Sequence, residues 1–120
     1  MSKYVDGFAF PIPNEKISEY RVLAESVAEI WKEHGAVEYC EFSGDDMRLE
    51  GTCSFVDALV AREGETVIFG WVAFDSRESR DNANRKVAED PRVAKLMSES
   101  NCGFDASRMM YGGFRSFLHQ

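Results

Sequence analysis

Residues Glu65–Asp75 read "ETVIFGWVAFD". The stretch is β-branched and aromatic, and a tight turn at "REGE" leads into it, so it reads as a strand. Alternate strand residues point to opposite faces. Val67, Phe69, Trp71 and Ala73 therefore line one face, and Ile68, Gly70, Val72 and Phe74 the other. Both sets are apolar. A small domain covers one sheet face with its own helices, so something else must cover the second.

Near the N-terminus, "YVDGFAFP" (Tyr4–Pro11) reads as a first strand, with Tyr4, Phe8 and Phe10 on one parity and Val5 and Ala9 on the other. "PIPN" is expected to break it, with Asn14 as helix N-cap. Residues Glu15–His34 carry apolar side chains at three- and four-residue steps (Ile17, Tyr20, Ala24, Val27, Trp31), which predicts a helix stopped by Gly35. Ala36–Phe42 reads as a second strand, and "SGDDMRLEG" as a loop. Ser54–Val60 fits a strand or a short helical turn, with the turn preferred. A second main helix is expected from near Ser76 to about Glu89, capped by the Asp75/Glu78 pair. Asp90-Pro91 restarts a short helix. Arg108–Leu118 reads as the last strand, with Met110, Phe114 and Leu118 on one face and Met109, Tyr111 and Phe117 on the other.

The order β-α-β-(turn)-β-α-β is the split βαβ, ferredoxin-like α+β arrangement, an antiparallel sheet with two helices on one face, formed by residues 1–120 as one domain. An open apolar sheet face exceeds the few hundred Å² that soluble monomers expose. The economical cover is a second copy of the same sheet, a homodimer.

Composition bounds the function. The net charge is −7. Nucleic-acid binding rests on Lys and Arg neutralising phosphates, so nucleic acid is not expected as a partner, nor an anionic membrane. The arginines and lysine at positions 77, 80, 85, 86 and 92 are interleaved with Glu78, Asp81, Glu89 and Asp90, the pattern of a solvated helix face. Three cysteines without a C-x-x-C pair fit a reducing cytoplasm. No run approaches the ~18 apolar residues of a membrane span.

Three segments carry a resemblance: "KYVDGFAFPIP" (Lys3–Pro13), "FGWVAFDSRESRDNANRKVAEDPRV" (Phe69–Val93) and "GFDASRMMYGGF" (Gly103–Phe114). Together they resemble the YbaA-like family of small bacterial proteins of unknown function. The resemblance spans essentially the whole chain. It implies the dimeric α/β-barrel superfamily, in which two ferredoxin-like sheets pack face to face. That superfamily holds cofactor-free oxygenases, haem-degrading enzymes and plain small-molecule binders, and a fold does not set a function.

The second main helix is the chemically odd element. It must pack on the sheet, yet Arg80 and Asn84 share a stripe with Val87. The expectation is a small-molecule site between this helix and the sheet, with Arg80 and Asn84 facing the ligand and Tyr39 and Trp71 as aromatic walls. The competing expectation is a structural network in which Arg80 pairs with a carboxylate. Neither a cofactor nor a metal is expected: Asp45 and Asp46 read as a solvated turn, and His34 as a helix C-terminus. Cys40 and Cys53 are expected in apolar surroundings and Cys102 exposed. "YGGF" and "DGF" lack the helix start of a phosphate site. Paired glycines in a strand instead mark a bulge or close approach of another chain segment. Three functions stay open: a cytoplasmic homodimer that binds a small molecule, a cofactor-free monooxygenase- or isomerase-like enzyme, and a structural or regulatory dimer without ligand.

Overall fold

The computed structural model describes residues 3–120. Its order is β1 (Tyr4–Pro13), α1 (Ile17–Glu33), β2 (Glu38–Ser43), α2 (Phe55–Ala58), β3 (Glu65–Phe74), α3 (Arg77–Glu89), α4 (Pro91–Glu99) and β4 (Met110–Arg115). The sheet order is β2-β3-β1-β4, antiparallel throughout. This is the ferredoxin-like α+β arrangement.

β1 runs two residues past the expected break. β4 pairs only with Tyr4–Ala9, so Pro11 and Pro13 lie where β1 is a sheet edge, and a strand proline is tolerated there. Asn14 therefore caps no helix; its side chain instead accepts a hydrogen bond from the Thr66 hydroxyl. Gly35, at φ +118°, ends α1 as expected. The cap of α3 is Ser76 rather than Asp75: its hydroxyl accepts from the Ser79 N–H at 3.0 Å. Asp90 caps α4 with Pro91 in the first turn, as the sequence predicts. The Ser54–Val60 ambiguity resolves to the short helix α2, which Ser54 caps.

Across the sheet, Tyr4, Asp6, Phe8, Phe10 and Ile12 share the helix-covered face with Ile68, Gly70, Val72 and Phe74. Phe10 packs edge-on against Tyr20 of α1 and Phe104, with centroids 5.4 and 4.9 Å away. Trp31 meets Phe74, and Ala83 of α3 is fully buried over the same cluster. Gly70 lets β1 and β2 close around β3: a Cβ there would stand 2.5 Å from the Cys40 carbonyl and 2.7 Å from the Phe8 ring. Cys102, expected exposed, is buried in the main core because the segment after α4 folds back over the sheet with Phe104. Cys53 is the exposed thiol.

The opposite face is not wholly open. Residues 47–61 fold over one end, where Leu59, Val56 and Met47 pack on Ala9 and Val67. The rest carries Phe42, Phe69, Trp71, Met110 and Phe114, of which Phe42, Met110 and Phe114 are at least half exposed. Phe42 and Trp71 lie 5.1 Å apart and Phe55 and Phe69 5.9 Å apart, so the aromatics form one contiguous patch.

Two ion-pair groups fasten the periphery. Arg92 joins Glu33 (2.6 Å) to Asp90 (2.8 Å), and Asp90 accepts His34 at 2.8 Å, so the end of α1 is tied to the α3–α4 junction. At the other end, Arg108 grips both oxygens of Glu65 at 2.7 and 2.9 Å. Those hydrogen bonds draw the Glu65 carboxyl down to about 2 from its ordinary 4.5. The folded value lies below the unfolded one, so this contribution is complete above pH 4.5 and is lost as the pH falls toward 2. Urea unfolding across that interval is expected to show a steeper acid loss in the wild type than in Glu65→Gln. Parallel slopes would contradict the assignment.

Candidate functional site

A cavity of about 410 Å³ lies between the helix-covered face of the sheet and α1, α3 and α4. Its walls are mainly apolar and aromatic: Phe8, Phe10 and Tyr39 from the sheet, Val27 and Trp31 from α1, Phe104 from the fold-back segment. The helix periodicity that buries Leu23 also turns Ala24 and Val27 toward this space. A small-molecule site typically occupies roughly 300–1,000 Å³ with few polar groups, and this cavity falls in that class.

The polar groups converge at one end. Asp6 is 4% exposed, and its Oδ1 accepts from the Tyr111 hydroxyl (2.8 Å) and from Arg80 (3.0 Å). Arg80 also donates to Tyr111 (2.7 Å), to the Tyr4 hydroxyl (3.2 Å) and to Asp81 (2.9 Å), and stacks over the Tyr4 ring at 4.9 Å. The Asn84 amide stands beside both Asp6 and Tyr111. Its Oδ1 is buried and has no hydrogen-bond partner among the described residues.

Burial pushes the Asp6 carboxyl up, against the pull of its Tyr111 and Arg80 hydrogen bonds. Burial and the Asp6 hydrogen bond push the Tyr111 hydroxyl up as well. At the other side of the cavity Glu41 accepts from Tyr20 and, at 2.7 Å, from Tyr39. Burial, then the Glu41 charge, holds both phenols well above the ordinary range, so they are neutral donors.

Three of the four residues expected from sequence thus meet here. Tyr39 and Asn84 line the cavity, and Arg80 braces its polar end. Trp71 does not join them. It pairs with Gly7 and Cys40 on the opposite sheet face, where its indole N–H donates to Glu38 at 3.1 Å. Arg80 does pair with a carboxylate, so the network expected as the competing structural role is present, and it forms the end wall of the cavity. The sequence pattern singles out neither Asp6 nor Tyr111 for this place. A signal for Asp6 was nonetheless available: one charged residue at an inward position between Tyr4 and Phe8. Gly113 has its reason in the same place, whereas a Cβ on Gly112 would meet the Phe114 ring at 3.0 Å on the opposite face. A Cβ on Gly113 would come within 2.5 Å of the Tyr4 hydroxyl and 3.2 Å of Arg80.

Asp45 and Asp46 are exposed in their loop, and among the described residues no group of three His, Cys, Asp or Glu side chains is placed to hold a metal. No described helix is long and apolar enough to cross a membrane.

Comparison with known proteins agrees with the fold and the motifs. The chain is 41% identical over 118 residues to the uncharacterised protein YbaA of Escherichia coli K12, covering 98% of this chain and 99% of that one, and equally to YbaA of Shigella flexneri. Among solved structures, a nipsnap family protein of unknown function from Agrobacterium tumefaciens matches with a TM-score of 0.58 at 16% identity, over 96% of this chain and 88% of the other. A dimeric ferredoxin-like protein from an uncultured marine organism matches with a TM-score of 0.57 at 7% identity over the full length of both. The family model described as a protein of unknown function, DUF1428, matches residues 3–106, and the chain belongs to that family.

Proposed function

We propose that this protein is a cytoplasmic homodimer that binds a small, largely aromatic molecule between its sheet and helices. One observation carries the proposal: the 410 Å³ aromatic-walled cavity closes at one end on Asp6, Asn84 and Tyr111. An apolar pocket with a few convergent polar groups is the usual form of a ligand site. Dimerisation is supported by the exposed aromatic patch of the second face and by the structurally similar protein described as dimeric. The cytoplasmic location is supported by three free cysteines. A thermal-shift screen of aromatic fragments should give hits in the wild type that vanish in Val27→Trp, which fills the cavity. Equal hits in both proteins, or none, would overturn the proposal.

A second reading, a cofactor-free enzyme of the isomerase or oxygenase type, is favoured by Asp6 itself. A buried carboxyl raised by its surroundings and lining a pocket is a suitable proton carrier. Turnover of a quinol and enol panel under oxygen should then fall in Asp6→Asn. Turnover unchanged by Asp6→Asn, or none in the wild type, would remove this reading.

A further inference from the structure

The polar end of the cavity is unbalanced, and the imbalance names a ligand chemistry. One buried acceptor there has no donor. The Asn84 Oδ1 is buried without a partner among the described residues. The nitrogen of the same amide is turned to Asp6 and Tyr111. The other donors nearby are already committed. The Tyr111 hydroxyl is spent on Asp6, and the Arg80 guanidinium on Asp6, Tyr111, Tyr4 and Asp81. The positive charge of Arg80 is matched by two carboxylates, at 3.0 and 2.9 Å, so it is not available to an incoming anion.

A buried acceptor left without a donor is unfavourable, and a ligand that supplies the donor removes that penalty. A ligand carboxylate or phosphate would bring further acceptors and a second negative charge beside Asp6, in a cavity whose remaining walls are apolar. An ether or ester oxygen would leave Asn84 unpaired.

Resting on the proposal that the cavity is a ligand site, we infer that it selects a neutral aromatic molecule carrying a hydrogen-bond donor, a phenol or an aromatic N–H, and rejects the corresponding anion. Asn84 Oδ1 takes the ligand's proton donor, Asp6 excludes acids, and the rings of Phe8, Phe10 and Tyr39 hold the apolar body. Asn84 and Asp6 are then the residues that determine specificity.

Three probes of one shape separate the terms: para-phenylphenol, its methyl ether, and biphenyl-para-carboxylate. Calorimetric titration of the wild-type protein at neutral pH is expected to give a dissociation constant for the phenol about tenfold or more below those of the ether and the carboxylate. In Asn84→Leu the phenol and the ether should bind alike. In Asp6→Asn the carboxylate should gain on the phenol. The wild-type comparison needs no variant, so a variant that fails to fold leaves the inference exposed to test. If the ether or the carboxylate binds the wild type as tightly as the phenol, the selectivity inferred here is wrong and the ligand site stands. If none of the three binds, the inference fails together with the site on which it rests.

Discussion

A Phe69→Asp substitution is expected to turn the proposed homodimer into a folded monomer. Phe69 sits on the central strand β3, in the uncovered face, within 6.4 Å of Phe42 and 6.1 Å of Trp71 between ring centroids. In a lone chain Phe69 is 41% exposed, so a carboxylate there still reaches water. In a face-to-face pair the same carboxylate is buried among aromatics without a cation, and two-fold symmetry makes this happen twice. Burying an unpaired polar group costs a few kcal/mol, so the association constant should fall by at least ~100-fold. Val22→Asp is the matched control, since Val22 is exposed on α1, away from that face. Light scattering should report unchanged mass for Val22→Asp and half the mass for Phe69→Asp. Equal masses for the two would place the contact elsewhere.

The second large effect is expected at Asp6. With Asp6→Ala, the Arg80 side chain, 12% exposed, loses its buried carboxylate and keeps only the more exposed Asp81. Breaking a buried ion pair from one side costs about 3–5 kcal/mol, and the retained Asp81 contact puts the expected loss near the lower figure. Removing the other partner behaves differently with pH. Arg80→Ala leaves Asp6 buried, but a carboxyl can shed its charge by taking a proton, and burial already pushes Asp6 in that direction. The loss in Arg80→Ala should therefore shrink on acidification. The loss in Asp6→Ala should not, because a guanidinium cannot be deprotonated in a protein. Urea unfolding of both variants at neutral and mildly acidic pH checks this. Losses that respond to pH in the same way would mean that the pair is not the source.

How far the sequence carried the structure varies by element, for physical reasons. β3 and α1 were legible because each repeats one period over ten or more residues. The Asp90-Pro91 restart was legible because a cap and an N-terminal proline have one common meaning. The stripe of Arg80, Asn84 and Val87 followed from helix geometry, and the structure brings Asn84 and Val87 to the cavity with Arg80 behind Asp6. Trp71 was misplaced because strand parity tells which residues share a face, not which face the helices cover. With Phe69 and Trp71 on one side and Val72 and Phe74 on the other, hydrophobicity does not decide. Register does: Asp6 opposite Val72, and Gly7 opposite Trp71. Register is a property of paired strands and is not written in either strand alone.

Two irregular segments were also hidden. The cover over Ala9 and Val67 comes from Met47, Val56 and Leu59, and the fold-back over the main core from Cys102 and Phe104. Neither segment carries a sustained period, so burial there depends on contacts far apart in the chain. The polar end of the cavity was half legible. Arg80 and Asn84 stood out as polar residues on a packing face. Their partners Asp6 and Tyr111 come from the two neighbouring strands β1 and β4, which are more than a hundred residues apart in sequence and adjacent only in the sheet.

In the proposed dimer a second copy of the chain closes the aromatic face of Phe42, Phe69, Trp71 and Phe114. Sedimentation equilibrium of the wild-type protein at micromolar concentration tests it most directly. A single species of twice the 13.6 kDa chain mass is predicted, and a stable, non-aggregating 13.6 kDa particle would contradict it.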